Sequence, residues 1–177
     1  MSKTQIPTNG IANNAVVTGK ITDGTIATAD IADDAVTVAK VTGLGKIGQV
    51  VQVSSNGGVS TTATSFTAAP VAVTITPSAT SSKVYVSIAF MNQTSSDQEF
   101  QATIYRGSTN LGDGTDGFFS DQSKVANSRN LVYMQYVDSP SSTSALEYKV
   151  YFKGEGQTVT VNPGEADWAF IAMEILA

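Results

Sequence analysis

Residues 6–41 read IPTNGIANNAVVTGKITDGTIATADIADDAVTVAKV, and one β-branched residue returns every five positions: Ile6, Ile11, Val16, Ile21, Ile26, Ile31, Val36 and Val41. Five is a poor helical interval, because at about 100° per residue each step turns the apolar group by another ~140°. It is also odd, so a straight strand throws successive members onto opposite faces. The column faces one way only if the chain bends once per repeat. Asn9-Gly10, Asn13-Asn14, Gly19, Asp23-Gly24, Asp33-Asp34 and Gly43 supply residues suited to such bends. Paired pentads give ten-residue units, IANNAVVTGK, ITDGTIATAD and IADDAVTVAK. This is a solenoid or fibre pattern.

A single column of eight side chains buries too little to offset the ordering entropy of this segment, roughly 1–2 kcal/mol per residue. Something else must supply the other walls. One solution is a single-chain pentapeptide helix, which Ala29-Asp30-Ile31 resembles. Eight pentads give only about two coils, however, and Thr4, Asn9, Asn14 and Asp34 stand where a small residue belongs. The other is a parallel homotrimer with three columns on a shared axis, which closes without leaving an edge. The trimer is favoured, with all eight column residues as its axial core.

Composition narrows the function. The chain has 177 residues, 41% hydrophobic, which suits one globular domain with an appendage. Only 14% is charged, while Ser and Thr fill 41 positions, so hydroxyls build the polar surface. That usage, with β-branched residues and glycine punctuation, reads as β structure. The absence of cysteine and histidine removes Ser-His-Asp and Cys-His catalysis, the common zinc sites and any histidine switch. Neither a signal-peptide run nor a stretch of ~18 apolar residues is present, so no membrane insertion is expected. Residues 1–46 carry four Lys and four Asp; the rest holds six Lys or Arg against eleven Asp or Glu. The −5 net charge thus falls on residues 47–177, which argues against nucleic-acid binding.

After the repeats, GLGKIG (43–48) matches G-x-G-x-x-G, but a dinucleotide site needs a preceding strand and a following helix, and QVVQVSS reads as a strand. The segment is a junction, dividing a stem, 1–46, from a knob, 47–177. The knob reads as Gln49–Ser54, a hairpin turn at Asn56-Gly57-Gly58, then Val59–Thr67. A break at Ala68–Pro70 precedes Val71–Thr76. Lys83–Asn92 alternates, with Val84, Val86, Ile88 and Phe90 on one face, and Phe100, Ala102 and Ile104 repeat the pattern. Leu131–Val137 follows a Gly- and Asp-rich loop and an unassigned stretch. Leu146, Tyr148, Val150 and Phe152 then share a face, and Val159–Val161 and Trp168–Leu176 end the chain. Trp168–Leu176 is apolar on both faces except at Glu174, which suits a sheet interior or a subunit contact. The expected fold is all-β: a trimeric β-helical or fibrous stem followed by an antiparallel sandwich of jelly-roll type.

No constellation reads as an active site. Asp113, Asp116 and Asp121 could gather around Ca²⁺, but their spacing fits no EF-hand and Asp before Gly is ordinary turn chemistry. Glu147, Glu155 and Glu165 are scattered rather than paired for glycoside cleavage. Phe118-Phe119, Tyr133 and Tyr136 could stack on a sugar ring, though core packing also explains them. No catalytic residue, metal or cofactor is expected.

The ITDGTIATADIADDAVTVAKV run resembles repeats of bacteriophage virion proteins, especially fibre-like and decoration proteins. The second half resembles the jelly-roll knobs that follow such repeats. That likeness rests on Ile75-Thr76-Pro77, Ser82-Lys83-Val84, Tyr105-Arg106-Gly107-Ser108-Thr109, Asp138-Ser139-Pro140, Leu146-Glu147-Tyr148-Lys149-Val150, Val161-Asn162 and Met173-Glu174-Ile175. The resemblance implies a homotrimeric, non-enzymatic component on the virion surface, assembled in the host cytoplasm, and carries over no functional residue. Two roles follow from it. A decoration (cement) protein would dock on the major capsid protein through the stem, at Ile6 and Ile11 where the column is open. A short tail fibre would bind a host surface glycan through the knob. Forty residues make a short shaft, which favours decoration.

Overall fold

A computed structural model describes residues 10–13, 15–33, 35–36, 46–123, 125–164 and 167–176. Backbone contacts divide the chain into two compact units, Met1–Leu44 and Gly45–Ala177.

In the first unit the backbone turns once per pentad. The amides of Ala15, Lys20, Thr25, Asp30 and Ala35 donate to the carbonyls of Ala12, Val17, Thr22, Ala27 and Ala32, at 2.8–3.1 Å. Each bond spans three residues, and both donor and acceptor recur every five. The apolar column occupies the link between one turn and the next. Two turns tighten into 3-10 segments, Thr18–Lys20 and Thr28–Asp30, and Gly24 takes φ +80°, which a side chain at that position would resist. The described residues of this unit contain no strand, so a β-helical stem is not shown. Ile6 and Val41, with Asn9, Asn14, Asp34 and Gly43, lie outside the described residues.

The second unit holds eleven strands among its described residues: β1 Lys46–Ser55, β2 Val59–Thr61, β3 Thr67–Ile75, β4 Lys83–Thr94, β5 Gln98–Arg106, β6 Thr109–Asn110, β7 Phe119–Ser123, β8 Arg129–Asp138, β9 Leu146–Lys153, β10 Val159–Val161 and β11 Trp168–Leu176. All strand pairings are antiparallel. One sheet runs β1-β11-β4-β10-β2 with β8 on the other edge of β4, and the second runs β3-β9-β5-β6 with β7 also on β5. Strands β1 and β2 lie in tandem, as do β10 and β11, and β6 and β7 share one side of β5. Each sheet is thus four strands wide. The first two strands of this unit pair with its last two, β3 with β9, β4 with β8 and β5 with β7, which is the winding of a jelly roll.

The alternating residues explain the core. Val84, Val86, Ile88 and Phe90 of β4 are buried, as are Phe100, Ala102 and Ile104 of β5 and Tyr148, Val150 and Phe152 of β9. Phe90 and Phe100 meet edge to face across the sheets at 6.4 Å, and Phe90 meets Trp168 at 5.5 Å. Each large apolar side chain so buried contributes about 1.5–3 kcal/mol.

Three expectations for the strands change. Asn56-Gly57-Gly58 is not a hairpin: β1 and β2 run in the same direction, pairing Ser55 with Trp168 and Val59 with Val161 on one C-terminal ribbon. A Cβ on Gly58 would stand 2.6 Å from the Asn162 carbonyl oxygen, so the pair of glycines lets the strand kink hard against its neighbour. The strand from Val59 ends at Thr61 rather than Thr67. Ala68–Pro70 is no break, because β3 passes through it with a register shift between Ala68 and Ala72. An edge strand tolerates Pro at such a bulge, where no ladder hydrogen bond is required of it.

Candidate functional site

The pentad segment carries the one surface for which the sequence named residues. Its turns satisfy backbone groups locally, and side chains reinforce them: Thr25 Oγ1 donates to the Thr22 carbonyl (2.6 Å), Lys20 Nζ to the Ala15 carbonyl (2.9 Å), and the Ala27 amide to Asp30 Oδ2 (2.9 Å). What the turns leave unsatisfied is apolar. Ile11, Val16, Ile21, Ile26, Ile31 and Val36 are 51, 55, 41, 52, 44 and 56% exposed. A side chain contributes hydrophobic stabilisation only as it leaves water, so within one chain this column contributes about half of what it could. Ile26, Ile31 and Val36 line one open groove of about 410 Å³ with Ala27, Ala32 and Asp33. These three successive members therefore border a common space. Val17 is also exposed, at 53%, and lies outside the column.

The other candidate groups are held apart. Asp113 caps its own turn, Oδ1 accepting from the amides of Thr115 (2.7 Å) and Asp116 (3.0 Å), and these amide bonds, that from Asp116 foremost, lower its pKa. Asp116 accepts from Gln101 Nε2, and Asp121 from Asn130 Nδ2. Each carboxylate has a different partner, and among the described residues no group of three or more His, Cys, Asp or Glu is placed to hold a metal ion. Glu147 pairs with Lys149 at 3.3 Å and Glu155 accepts from the Glu99 amide, while Glu165 lies outside the described residues. Phe118 packs on Tyr136 at 5.2 Å and Phe119 on Phe100 at 6.2 Å, so both phenylalanines serve packing. Tyr133 alone of that set is open, at 52%. In GLGKIG, Lys46, Ile47 and Gly48 belong to β1, and no helix follows.

Two buried polar knots escaped the sequence reading. Glu174, 2% exposed on β11, accepts from the amide and hydroxyl of Ser78 (2.6 and 2.7 Å) and from Gln49 Nε2 (3.3 Å). Burial alone would raise its pKa; its hydrogen bonds, those from Ser78 foremost, outweigh burial and hold the carboxyl at about 2. Its signal was the lone acid in an apolar strand. The second knot is Asp138, whose oxygens lie 2.8 and 2.6 Å from Arg106 Nη1 and accept from Tyr148 Oη at 2.7 Å. Burial, then the bond to Asp138, raises the Tyr148 phenol well above its ordinary value. The knot ties β8 of one sheet to β5 and β9 of the other. Its members lie 32 and 10 residues apart in sequence, and no local pattern connects them.

No family model matches the chain, and no curated protein matches it. Among solved structures it is similar to that of infectious bursal disease virus Gx strain, with TM-score 0.34 and 14% identity over 73% of this chain and 37% of that one. The Gt strain structure gives 0.32 and 15%, over 73% and 36%. The VP2 subviral particle of the same virus gives 0.32 and 14%, over 73% and 38%. The chain spans less than two-fifths of the length of each of these viral structures.

Proposed function

We propose that this chain is a non-enzymatic structural component of a virion, a homotrimeric decoration protein. It docks on the major capsid protein through its N-terminal pentads and displays its sandwich on the outside. The observation that carries this reading is the exposed column. A five-residue repeat spends its backbone hydrogen bonds on its own turns and leaves six apolar side chains half open, a pattern that further copies of the same segment complete. Three copies bring three columns to one axis. Docking falls on the first pentads, at Ile6 and Ile11, where the half-exposed Ile11 offers an apolar contact to a partner surface. Three such ends per particle site attach multivalently, so modest contacts suffice if all engage. The −5 charge on the sandwich keeps displayed copies soluble and apart.

Mixing the full chain with undecorated particles tests the docking. Deleting residues 2–12 is expected to abolish binding while the sandwich keeps its thermal transition. Unchanged binding would move attachment to the sandwich and end this reading. Copies per purified particle separate decoration from the tail-fibre alternative with its glycan receptor: hundreds fit the former, a dozen the latter.

A further inference from the structure

The outer face of the β1-β11-β4-β8 sheet has no covering layer among the described residues of its own unit, and its register sets a row of apolar side chains across it. Antiparallel pairing aligns Val137, Tyr85, Met173 and Val50 across all four strands. Next to them lie Gln135, Ser87, Ile171 and Gln52, and then Tyr133, Ala89, Ala169 and Ser54. Lys83, Ile175 and Ile47 close one end, and Leu131 with Met91 the other. Lys83 is the one charged residue in these rows. The most open members are Ile47 and Val50 on β1 and Leu131, Tyr133 and Val137 on β8, at 63, 57, 65, 52 and 47% exposure. They stand on the two opposite edge strands. The two inner strands are less exposed, and the face is partly polar, where Tyr85 and Tyr133 both donate to Gln135 Oε1.

We infer that this face is a second contact between copies of the chain, with β8 of one copy seated against β1 of the next around a threefold. Two observations select that occupant. Residues 47–177 hold six positive against eleven negative side chains, so two copies approach with least repulsion where charge is missing. Exposed apolar side chains on opposite edge strands suit a head-to-tail contact, which closes into a ring, better than a self-matching twofold. The inference rests on the trimer of the preceding section and adds an interface that the pentads do not supply.

The chain has no cysteine, so introduced thiols report cleanly. Val50 and Val137 lie in one row but three strand spacings apart, about 14 Å, beyond the Cα separation a disulfide spans. The full chain carrying Val50→Cys and Val137→Cys, mildly oxidised, is expected to run as covalent dimers and trimers on a non-reducing gel. Each single variant is expected to stay a monomer band. Cross-linking by a single variant overturns the ring, as does absence of cross-linking in the double. A separate full-length variant, Leu131→Glu with Tyr133→Glu, is expected to raise the concentration at which the trimer dissociates at least tenfold while its melting transition persists; unchanged association overturns the inference. Ile21→Asp run in parallel keeps the two readings apart. Loss of the trimer in Ile21→Asp alone leaves the stem reading standing and sinks this one. Loss in the face variant alone sinks the stem reading and leaves this one. Unchanged association with lost particle binding in the face variant assigns the face to the shell instead.

Discussion

At Gly58 a methyl group would meet the Asn162 carbonyl oxygen at 2.6 Å, whereas at Gly57 the nearest atom is a serine hydroxyl at 3.7 Å. Gly58→Ala must push the β1–β2 kink off the C-terminal ribbon and is expected to cost about 1–3 kcal/mol. Gly57→Ala should stay within about 0.5 kcal/mol, with urea melts separating the two. Glu174 gives a second residue-scale test. Its folded pKa of about 2 lies below the ordinary 4.5, so its contribution is complete above pH 4.5 and is lost as pH falls toward 2. Melting temperature should drop across that window in the native chain and less steeply in Glu174→Gln. Gly48 was legible only as part of a glycine motif; in the fold a Cβ there would stand 2.7 Å from Glu174 Oε2. A sequence shows that a glycine is present but not which distant side chain needs its space.

At the scale of elements, strands with strict alternation were readable because one face is buried and the other is not. β4, β5 and β9 kept the inner faces assigned to them, down to Val84, Phe100 and Tyr148. Elements without that contrast were not readable. β7, with FSDQS, is too polar to show a period, and it exists because β5 offers it a free edge. Asn56-Gly57-Gly58 gave a true local signal of a bend, but the partner that makes it a kink rather than a hairpin lies about a hundred residues away. The Asp138 knot is a further element-scale device. Removing the acceptor leaves Arg106 and Tyr148 facing each other without it, so Asp138→Ala is expected to cost about 3 kcal/mol or more in denaturant unfolding. Asp138→Asn, which keeps one acceptor oxygen, should cost less.

At the scale of the whole molecule, the bend in each described pentad of the stem was legible from the five-residue interval alone. Its geometry was not, because a period of five fixes where the chain bends but not whether the straight runs pair. The turns at Ala12–Ala15 through Ala32–Ala35 answer the first question for the described pentads, and the half-open side chains pose the second. In the proposed trimer two more copies complete their burial. A charge placed on that axis would be buried three times over without a partner, a cost no marginal assembly tolerates. The most direct measurement is the mass of the full chain in sedimentation equilibrium, beside Ile21→Asp and Ile31→Asp. The native protein is expected at three times the 18.4 kDa chain mass, and both variants are expected to collapse toward the single-chain mass. A native protein that sediments as a monomer would contradict the trimer.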